Sequence, residues 1–507
     1  MPAWERMSDL VTTVSLALLS HTNVGKTTLA RTLLRRDIGA VMDRAHVTEI
    51  AESHVLMRSS AGDELVLWDT PGFGDSVRLQ RRLAASGQPV GWFLSQVWDR
   101  FADRAFWCSQ QAMRAARDSA DVVLYVVNAT EEPTSAGYVE PELHILDWLG
   151  KPTLVLLNQV GTRLDTVHER QLTEEWSAVL RRHDAAGSRR VMTFDAFARC
   201  WLQEHALLDA IAACLDERQR PAFERIVEAW RGRDLDVLRQ SAAVIARQLR
   251  GLAQDTVQLH DAKLADKVSR ALQGGATDAL GVEESRARQA MLDRLDDSVR
   301  ACTAELVTLH GLTGTASDDI LRQVTTGFET QRAPDADKAG LWGGLVTGAL
   351  GGLAADVAAG GLTFGAGAIL GGIAGALGAR KLTQRYNEER GFAGGTVRWS
   401  DEFLDARLGA AIIRYLAVAH FGRGRGDFAA SDPAPRWQAV VSAALARRVA
   451  DHESLWSKMR PGTASHAHLE SVILDLLAEV LAQLYPEPAA FFRGRLASTE
   501  QGESAVV

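Results

Sequence analysis

Residues 14–28 read VSLALLSHTNVGKTT, and the reading of this stretch decides the fold. Val14 to Leu19 make a short apolar run, the pattern of a buried strand. A tight loop follows, and a helical pattern opens at Lys26 or Thr27. Strand, loop and helix start, in that order, bring consecutive backbone N–H groups and the positive end of a helix dipole to one point, a seat for an anion. Gly25 lets the backbone come close, Lys26 adds positive charge, and the Thr27 hydroxyl can ligate a divalent cation. Ser20 stands where loops of this kind usually begin with glycine, which raises the question of whether the seat is intact.

Some forty residues on, 65–76 read LVLWDTPGFGDS. Here a second strand delivers Asp69 and then Gly72. A carboxylate at a strand end can hold Mg²⁺ through water, and a glycine amide just beyond it can sense a γ-phosphate. Around these motifs short apolar runs alternate with helical patterns, the signature of successive βα units on a mostly parallel sheet. Candidate strands are Val14–Leu19, Val55–Met57, Glu64–Trp68, Val122–Val127, Thr153–Leu157 and Arg190–Thr193.

Together these residues resemble the P-loop GTPases of the Era- and TrmE-like group, over roughly residues 11–215, with NVGKTT and WDTPGFG as the strongest match. The resemblance implies GTP and GDP as ligands, Mg²⁺ as cofactor, and hydrolysis of the β–γ phosphoanhydride. Carried over residue by residue, it assigns Asn23, Val24, Gly25, Lys26, Thr27 and Thr28 to the phosphate loop, with Lys26 on the β- and γ-phosphates. Thr27 and Asp69 would hold the metal, and Gly72 the γ-phosphate. Thr48, in AHVTEI, is the candidate for the threonine that caps Mg²⁺ from switch I; a helix-cap or surface role stands beside that reading. Related loops also accept alanine at the first position, so Ser20 is compatible with a working site.

Phe73 follows Gly72, where Ras-type enzymes carry the glutamine that orients the attacking water, and a phenyl ring cannot do this. A hydrophobic residue there is usual in the Era- and TrmE-like group, some members of which use a potassium ion held partly by an asparagine at the position of Asn23. The resemblance therefore implies a K⁺ contact for Asn23, against the alternative that it only shapes the turn. At the base end the expected Asn-Lys-x-Asp reads Asn158-Gln159-Val160-Gly161. The aspartate normally accepts from both guanine N1–H and N2–H₂, and glycine offers nothing in its place. Asn158, Gln159, Asp195 and Ala196 are the candidate base-site residues, with Asp165 or Asp195 as substitutes for the missing carboxylate or as ordinary loop aspartates.

Between Gly72 and the next strand lies GWFLSQVWDRFADRAFWCSQQAM (91–113), where Phe93, Val97 and Phe101 recur every four residues. One or two long helices extending from the second motif are expected here. The domain reading is a P-loop GTPase domain over 1–216, a helical domain over 217–337, a Gly-rich apolar hairpin over 338–381 and a C-terminal helical region over 382–507. The fold class is thus α/β followed by a predominantly α-helical C-terminal region.

Residues 339–379 carry one charge, Asp356. As helices, Ala339–Ala355 and Val357–Ala379 would run about 25 and 34 Å, bracketing a bilayer core of about 30 Å. Glycines at four-residue spacing, Gly344, Gly348 and Gly352 and then Gly367, Gly371 and Gly375, permit close helix packing, either in a membrane or inside the helical domain. The pairing of such a segment with this GTPase domain resembles a bacterial GTPase family whose C-terminal domain has no assigned function.

A net charge of −8, without a Lys/Arg-rich run, gives no field for nucleic acid. The four cysteines lack CxxC spacing, so neither a disulfide framework nor a thiolate metal site is suggested, and a cytoplasmic protein fits. His466 and His468 are too sparse for a metal site. The leading expectation is a Mg²⁺-dependent GTPase switch acting on its helical region, at the cytoplasmic face of the inner membrane if 339–379 makes membrane contact. A membrane-remodelling protein regulated by the nucleotide domain, and a pseudo-GTPase or NTPase of relaxed base choice, stand as alternatives. The protein effector is unknown and a homo-oligomer is open.

Overall fold

The computed structural model describes residues 11–35, 51–85, 89–95, 103–160, 166–182, 189–196, 200–258, 278–312, 396–421, 435–448, 453–460 and 466–486. Thr48, Gly161, Asp165, Val97, Phe101 and the Gly-rich hairpin 338–381 lie outside these residues.

In chain order the N-terminal elements are β1 (Thr13–Leu19), α1 (Lys26–Leu34), β2 (Glu52–Arg58), β3 (Glu64–Asp69), α2 (Ser76–Ala84), α3 (Pro89–Ser95) and α4 (Arg104–Arg114). A π-helical turn, Ala115–Ser119, ends α4 before β4 (Val122–Asn128), α5 (Val139–Leu149), β5 (Thr153–Asn158), α6 (Thr166–Arg181), β6 (Arg190–Thr193), α7 (Trp201–Cys214) and α8 (Arg220–Gln254). The strands form one sheet in the order β2-β3-β1-β4-β5-β6. Only β2 is antiparallel, paired with β3. Because β1 lies between β3 and β4, the chain reverses its winding there, and the crevice beyond the carboxyl ends of those strands is where open α/β sheets bind ligands.

Alternation along β1 makes both faces. Val14, Leu16 and Leu18 join Leu29, Leu33, Phe194, Ile211 and Trp230 in one core. Ala17 and Leu19 face the other, with Phe73, Phe93, Phe106, Tyr125 and Trp176. A strand apolar on both faces must be covered twice, which is why helices flank this sheet on both sides.

Among the described residues after Gly72, α2, α3 and α4 are helical, where one or two long helices were expected. Asp75 caps the start of α2 by accepting from the Arg78 amide (3.0 Å). Pro89, without an amide proton, opens α3 at the one place in a helix where that costs nothing. Phe93 and Phe106 then meet edge to face, centroids 6.1 Å apart.

The chain divides into two compact units, the first holding 1–236 and 419–427, the second 237–418 and 428–507. α8 contributes its first half to the first unit and its second half to the second. The second unit contains α9 (Asp278–Leu309), α10 (Asp401–Ala419), α11 (Pro435–Arg448), α12 (Glu453–Met459) and α13 (His466–Leu484). Its core includes Leu249, Val299, Phe403, Tyr415, Trp456 and Leu476. A two-stranded antiparallel ladder, β7 (Thr256–Gln258) with β8 (Thr396–Arg398), interrupts the helices where no strand was expected. The α/β domain and the helical C-terminal region read from the sequence are both present.

In the first unit α8 is fastened to the β2–β3 turn by a buried carboxylate. Asp63 accepts from the Thr12 amide (3.1 Å), Ser59 Oγ (2.8 Å), and Arg225 Nε (2.7 Å) and Nη2 (3.0 Å). The Arg225 hydrogen bonds, with those from Ser59 and Thr12, hold its pKa down to about 2 despite burial. Since the folded-state pKa lies below the ordinary 3.8, this stabilisation is complete above that value and is lost as pH falls through about 2. Asp63→Asn is expected to lower the unfolding free energy at pH 7 by about 1.5–3 kcal/mol, read by urea denaturation, with the difference from wild type shrinking below pH 4.

Candidate functional site

The loop between β1 and α1 closes around left-handed backbone at Asn23 (φ 64°) and Gly25 (φ 91°). Asparagine tolerates that region and glycine enters it freely. Gly25 is required on a second count: a Cβ there would come within 2.7 Å of Asn158 Nδ2. The first helical bond of α1, from the Leu29 amide to Gly25 O (2.9 Å), follows at once, so the amides of the loop and first turn converge.

Lys26 folds back over the loop. Its Nζ donates to Ser20 Oγ (2.9 Å) and to His21 O (3.2 Å). Burial, outweighing the nearby Asp69 and Glu142 carboxylates, pushes its pKa down to about 8. Ser20 is therefore the acceptor that holds the lysine over the loop. The hydroxyl is the signal the sequence carried for this: a polar atom six residues before the lysine, at a position otherwise filled by glycine.

Thr27 Oγ1 donates to Asp69 Oδ2 at 2.7 Å. Asp69 Oδ1 is buried and has no hydrogen-bond partner among the described residues, and burial raises the carboxyl pKa, with Thr27 and Lys26 opposing. Gly72 packs on the loop so closely that a Cβ would lie 2.8 Å from Thr22 Cα and 2.9 Å from Lys26 Nζ. Phe73 is fully buried, its amide donating to Ser20 O (2.9 Å) while its carbonyl accepts from the Thr22 amide (3.3 Å). The second motif is thus stitched to the first by backbone on both sides of one residue.

At the other end of the site, Asn158 is fully buried and both ends of its amide are used. Nδ2 donates to Val24 O (2.8 Å) and Oδ1 accepts from the Ala196 amide (2.9 Å). Thr32 Oγ1, from α1, donates to Ala196 O (3.1 Å), and Thr28 O accepts from the same hydroxyl (2.9 Å). Gln159 takes a left-handed conformation (φ 61°) and brings its amide over Gly25. Asn23, Val24, Gly25, Lys26, Thr27, Thr28, Asp69, Gly72, Asn158, Gln159, Asp195 and Ala196 therefore come from four loops into one neighbourhood. Among the described residues no group of three or more His, Cys, Asp or Glu side chains could hold a metal ion.

The sequence reading missed Glu142. It lies on α5 at the i+3 position of an otherwise apolar stripe, Val139, Leu143 and Leu146, and a carboxylate on such a stripe is the signal that could have found it.

Residues 184–479 match the family described as Domain of unknown function (DUF3482), more than half of the 507-residue chain. The chain belongs to the DUF3482 family. Residues 15–159 of this DUF3482 chain match the family described as 50S ribosome-binding GTPase, and its N-terminal domain has the P-loop GTPase fold, a mostly parallel sheet with flanking helices. Among solved structures, Era from Aquifex aeolicus bound to GDP and AlF4⁻ is 16% identical, with 56% of this chain and 90% of that one covered and a TM-score of 0.30. An Era complex with MgGDPNP and a segment of 16S ribosomal RNA is 16% identical, covering 57% and 90%, with a TM-score of 0.31. Toc33 from Arabidopsis thaliana with GDP and Mg²⁺ is 13% identical, covering 39% and 76%, with a TM-score of 0.27. A search of curated proteins finds no match.

Replacing Asn158 by alanine would strand two buried backbone groups, Val24 O and the Ala196 amide. Asn158→Ala is expected to destabilise the DUF3482 chain by about 2–6 kcal/mol, at about 1–3 kcal/mol per unpaired group, measured by urea denaturation.

Proposed function

We propose that the N-terminal domain binds a guanine nucleoside triphosphate with Mg²⁺, hydrolyses its β–γ phosphoanhydride, and acts as a nucleotide-controlled switch on the helical C-terminal region. The observation that carries this reading is the Thr27–Asp69 pair: a hydroxyl and a carboxylate 2.7 Å apart beside the phosphate loop, with Asp69 Oδ1 buried and without a partner among the described residues. A buried orphan oxygen of this kind is costly unless a cation or water completes it. Thr27 and Asp69 would hold Mg²⁺, which when bound neutralises charge on the β- and γ-phosphates. The converging amides of Asn23 to Thr28 would bind phosphate oxygens, Lys26 would pair with the β- and γ-phosphates, and the Gly72 amide would meet the γ-phosphate. Thr48 is our candidate for a further metal contact.

Phe73, being core, leaves the orientation of the attacking water to other groups. We assign Asn23 to a monovalent cation near the β–γ bridge, where positive charge stabilises the transition state. Asp195, adjoining Ala196, is our candidate acceptor for guanine N1–H and N2–H₂, with Gln159 alongside. The low charge of 339–379 favours membrane contact at the cytoplasmic face of the inner membrane. No described helix is long and apolar enough to cross a membrane, and this segment lies outside the described residues.

Binding of GTP, GDP, ATP and XTP, measured by calorimetry with Mg²⁺ in potassium and in sodium, tests the site directly. Guanine nucleotides are expected to bind preferentially, and Lys26→Ala to weaken GTP binding by roughly 100-fold through loss of two charge-assisted contacts. Multiple-turnover hydrolysis should run faster in potassium; equal rates in both salts would rule out the cation role of Asn23. Co-flotation of the full chain with anionic liposomes is expected for the membrane reading.

A further inference from the structure

The buried Glu142 carboxylate has no place in phosphate binding, yet it touches both motifs of the site. Its Oε1 accepts from His21 Nδ1 at 2.9 Å and from Ser76 Oγ, and its Oε2 accepts from Tyr125 OH at 2.9 Å. His21 is the second residue of the phosphate loop. Ser76 is the first residue of α2, four beyond Gly72. Tyr125 belongs to β4 and is fully buried, so it anchors the carboxylate to the sheet. A carboxylate only accepts, so Nδ1 of His21 carries the hydrogen. The ring is also clamped from the side, stacked on Tyr138 with centroids 4.5 Å apart and planes inclined by 18°.

We propose that Glu142 is a positioning residue for the nucleotide site, holding His21 of the phosphate loop and Ser76 of α2 in one register so that the placement of the Gly72 amide against a γ-phosphate depends on it. The segment from Gly72 to Ser76 is short. Phe73 pins its near end to the loop, by the bonds to Ser20 and Thr22, and Ser76 pins its far end to Glu142. Any movement of Gly72 toward or away from a γ-phosphate is transmitted to α2 through these two points. Glu142 joins the two motifs through side chains, beside the Thr27–Asp69 bond and a longer Ser76 Oγ–His21 Nδ1 contact of 3.4 Å, and removing its link leaves the backbone bonds of the loop in place. The effect falls on the triphosphate, which meets Gly72, and spares the diphosphate, which does not.

This inference rests on the guanine-nucleotide reading, and the test separates the two. Affinities of the full chain for GDP and for a non-hydrolysable GTP analogue are measured for wild type, Ser76→Ala, Glu142→Gln and Tyr125→Phe, with circular dichroism as the check on folding. Glutamine can replace neither the charge nor the full set of three accepted bonds. Ser76→Ala and Glu142→Gln are expected to lower the analogue-to-GDP affinity ratio by about tenfold, chiefly through weaker analogue binding. Tyr125→Phe removes a bond to the same carboxylate without disconnecting either motif, and is expected to lower the melting temperature while keeping the ratio within about twofold of wild type. A folded Ser76→Ala variant with the wild-type ratio would overturn the proposal even if Glu142→Gln fails to fold. So would a Tyr125→Phe variant that shifts the ratio as far as Ser76→Ala, since Glu142 would then be merely structural. A wild-type chain that binds neither nucleotide overturns the guanine-nucleotide reading and this inference with it; binding of both, without separation by the variants, overturns this inference alone.

Discussion

The Lys26 ammonium is 7% exposed and its acceptors among the described residues are neutral, Ser20 Oγ and His21 O. Water has been removed from a full charge, and two uncharged oxygens do not replace a hydration shell, so the proton is held weakly, with a pKa near 8. Asp69 and Glu142 pull the other way without making contact. The arrangement is incomplete in a specific sense: an anion placed among the loop amides would restore the charge balance of the lysine and satisfy the amides together. On the proposed reading Thr27, Asp69 and Gly72 would serve that same anion and its metal, and β1 and β3 deliver all three residues to one point.

How α1 is held matters for the same reason, since its first turn is part of the seat. At its far end Arg35 donates to Asp234 Oδ1 (2.7 Å) and to Glu204 Oε1 (3.3 Å), and Glu204 Oε2 accepts from Trp230 Nε1 (2.8 Å). Burial alone would raise the Asp234 pKa, and the Arg35 guanidinium outweighs it, holding the carboxyl well below the usual range. Buried ion pairs of this sort contribute little net stability, because desolvation offsets attraction, but breaking one leaves an uncompensated charge. The network therefore resists any slip of α1 against α7 and the first half of α8. With Asp63 on Arg225, it ties the start of α8 to the same sheet that carries the phosphate loop.

What the sequence made legible were features that repeat or that chemistry constrains tightly. The strands were visible because a sheet covered on both faces demands continuous apolar runs, and β1, β3, β4 and β5 supply them. The phosphate side was visible because Gly25, Lys26, Asp69 and Gly72 admit few substitutes at their positions. Three things were not legible for physical reasons. β7 and β8, at three residues each, are too short for a period to show. The starts of α2 and α3 after Gly72 rest on single residues, Asp75 and Pro89, which no hydrophobic period reveals. Glu142 serves the site from α5, across a sequence distance of 121 residues from His21, and long-range pairing of that kind leaves no local trace. At the base end Asn158 was recognisable, but its amide is consumed in joining two loops, a role that spacing alone does not distinguish from base contact.

Phe73 decides what kind of catalyst such a site can be. A side chain at this position can be spent on the attacking water or on the core, and here it is wholly in the core, packed with Leu19, Leu79 and Phe93. In exchange, the backbone on either side of it is fixed to the phosphate loop, and the adjoining glycine is held at a distance that no Cβ would allow. That arrangement favours sensing over water activation: an amide held in fixed register discriminates sharply between the presence and absence of a γ-phosphate, whereas nothing at Phe73 lowers the barrier to attack. For the hydrolysis proposed above, transition-state stabilisation would fall to preorganised positive charge, supplied by Lys26 and by the proposed cations beside the loop.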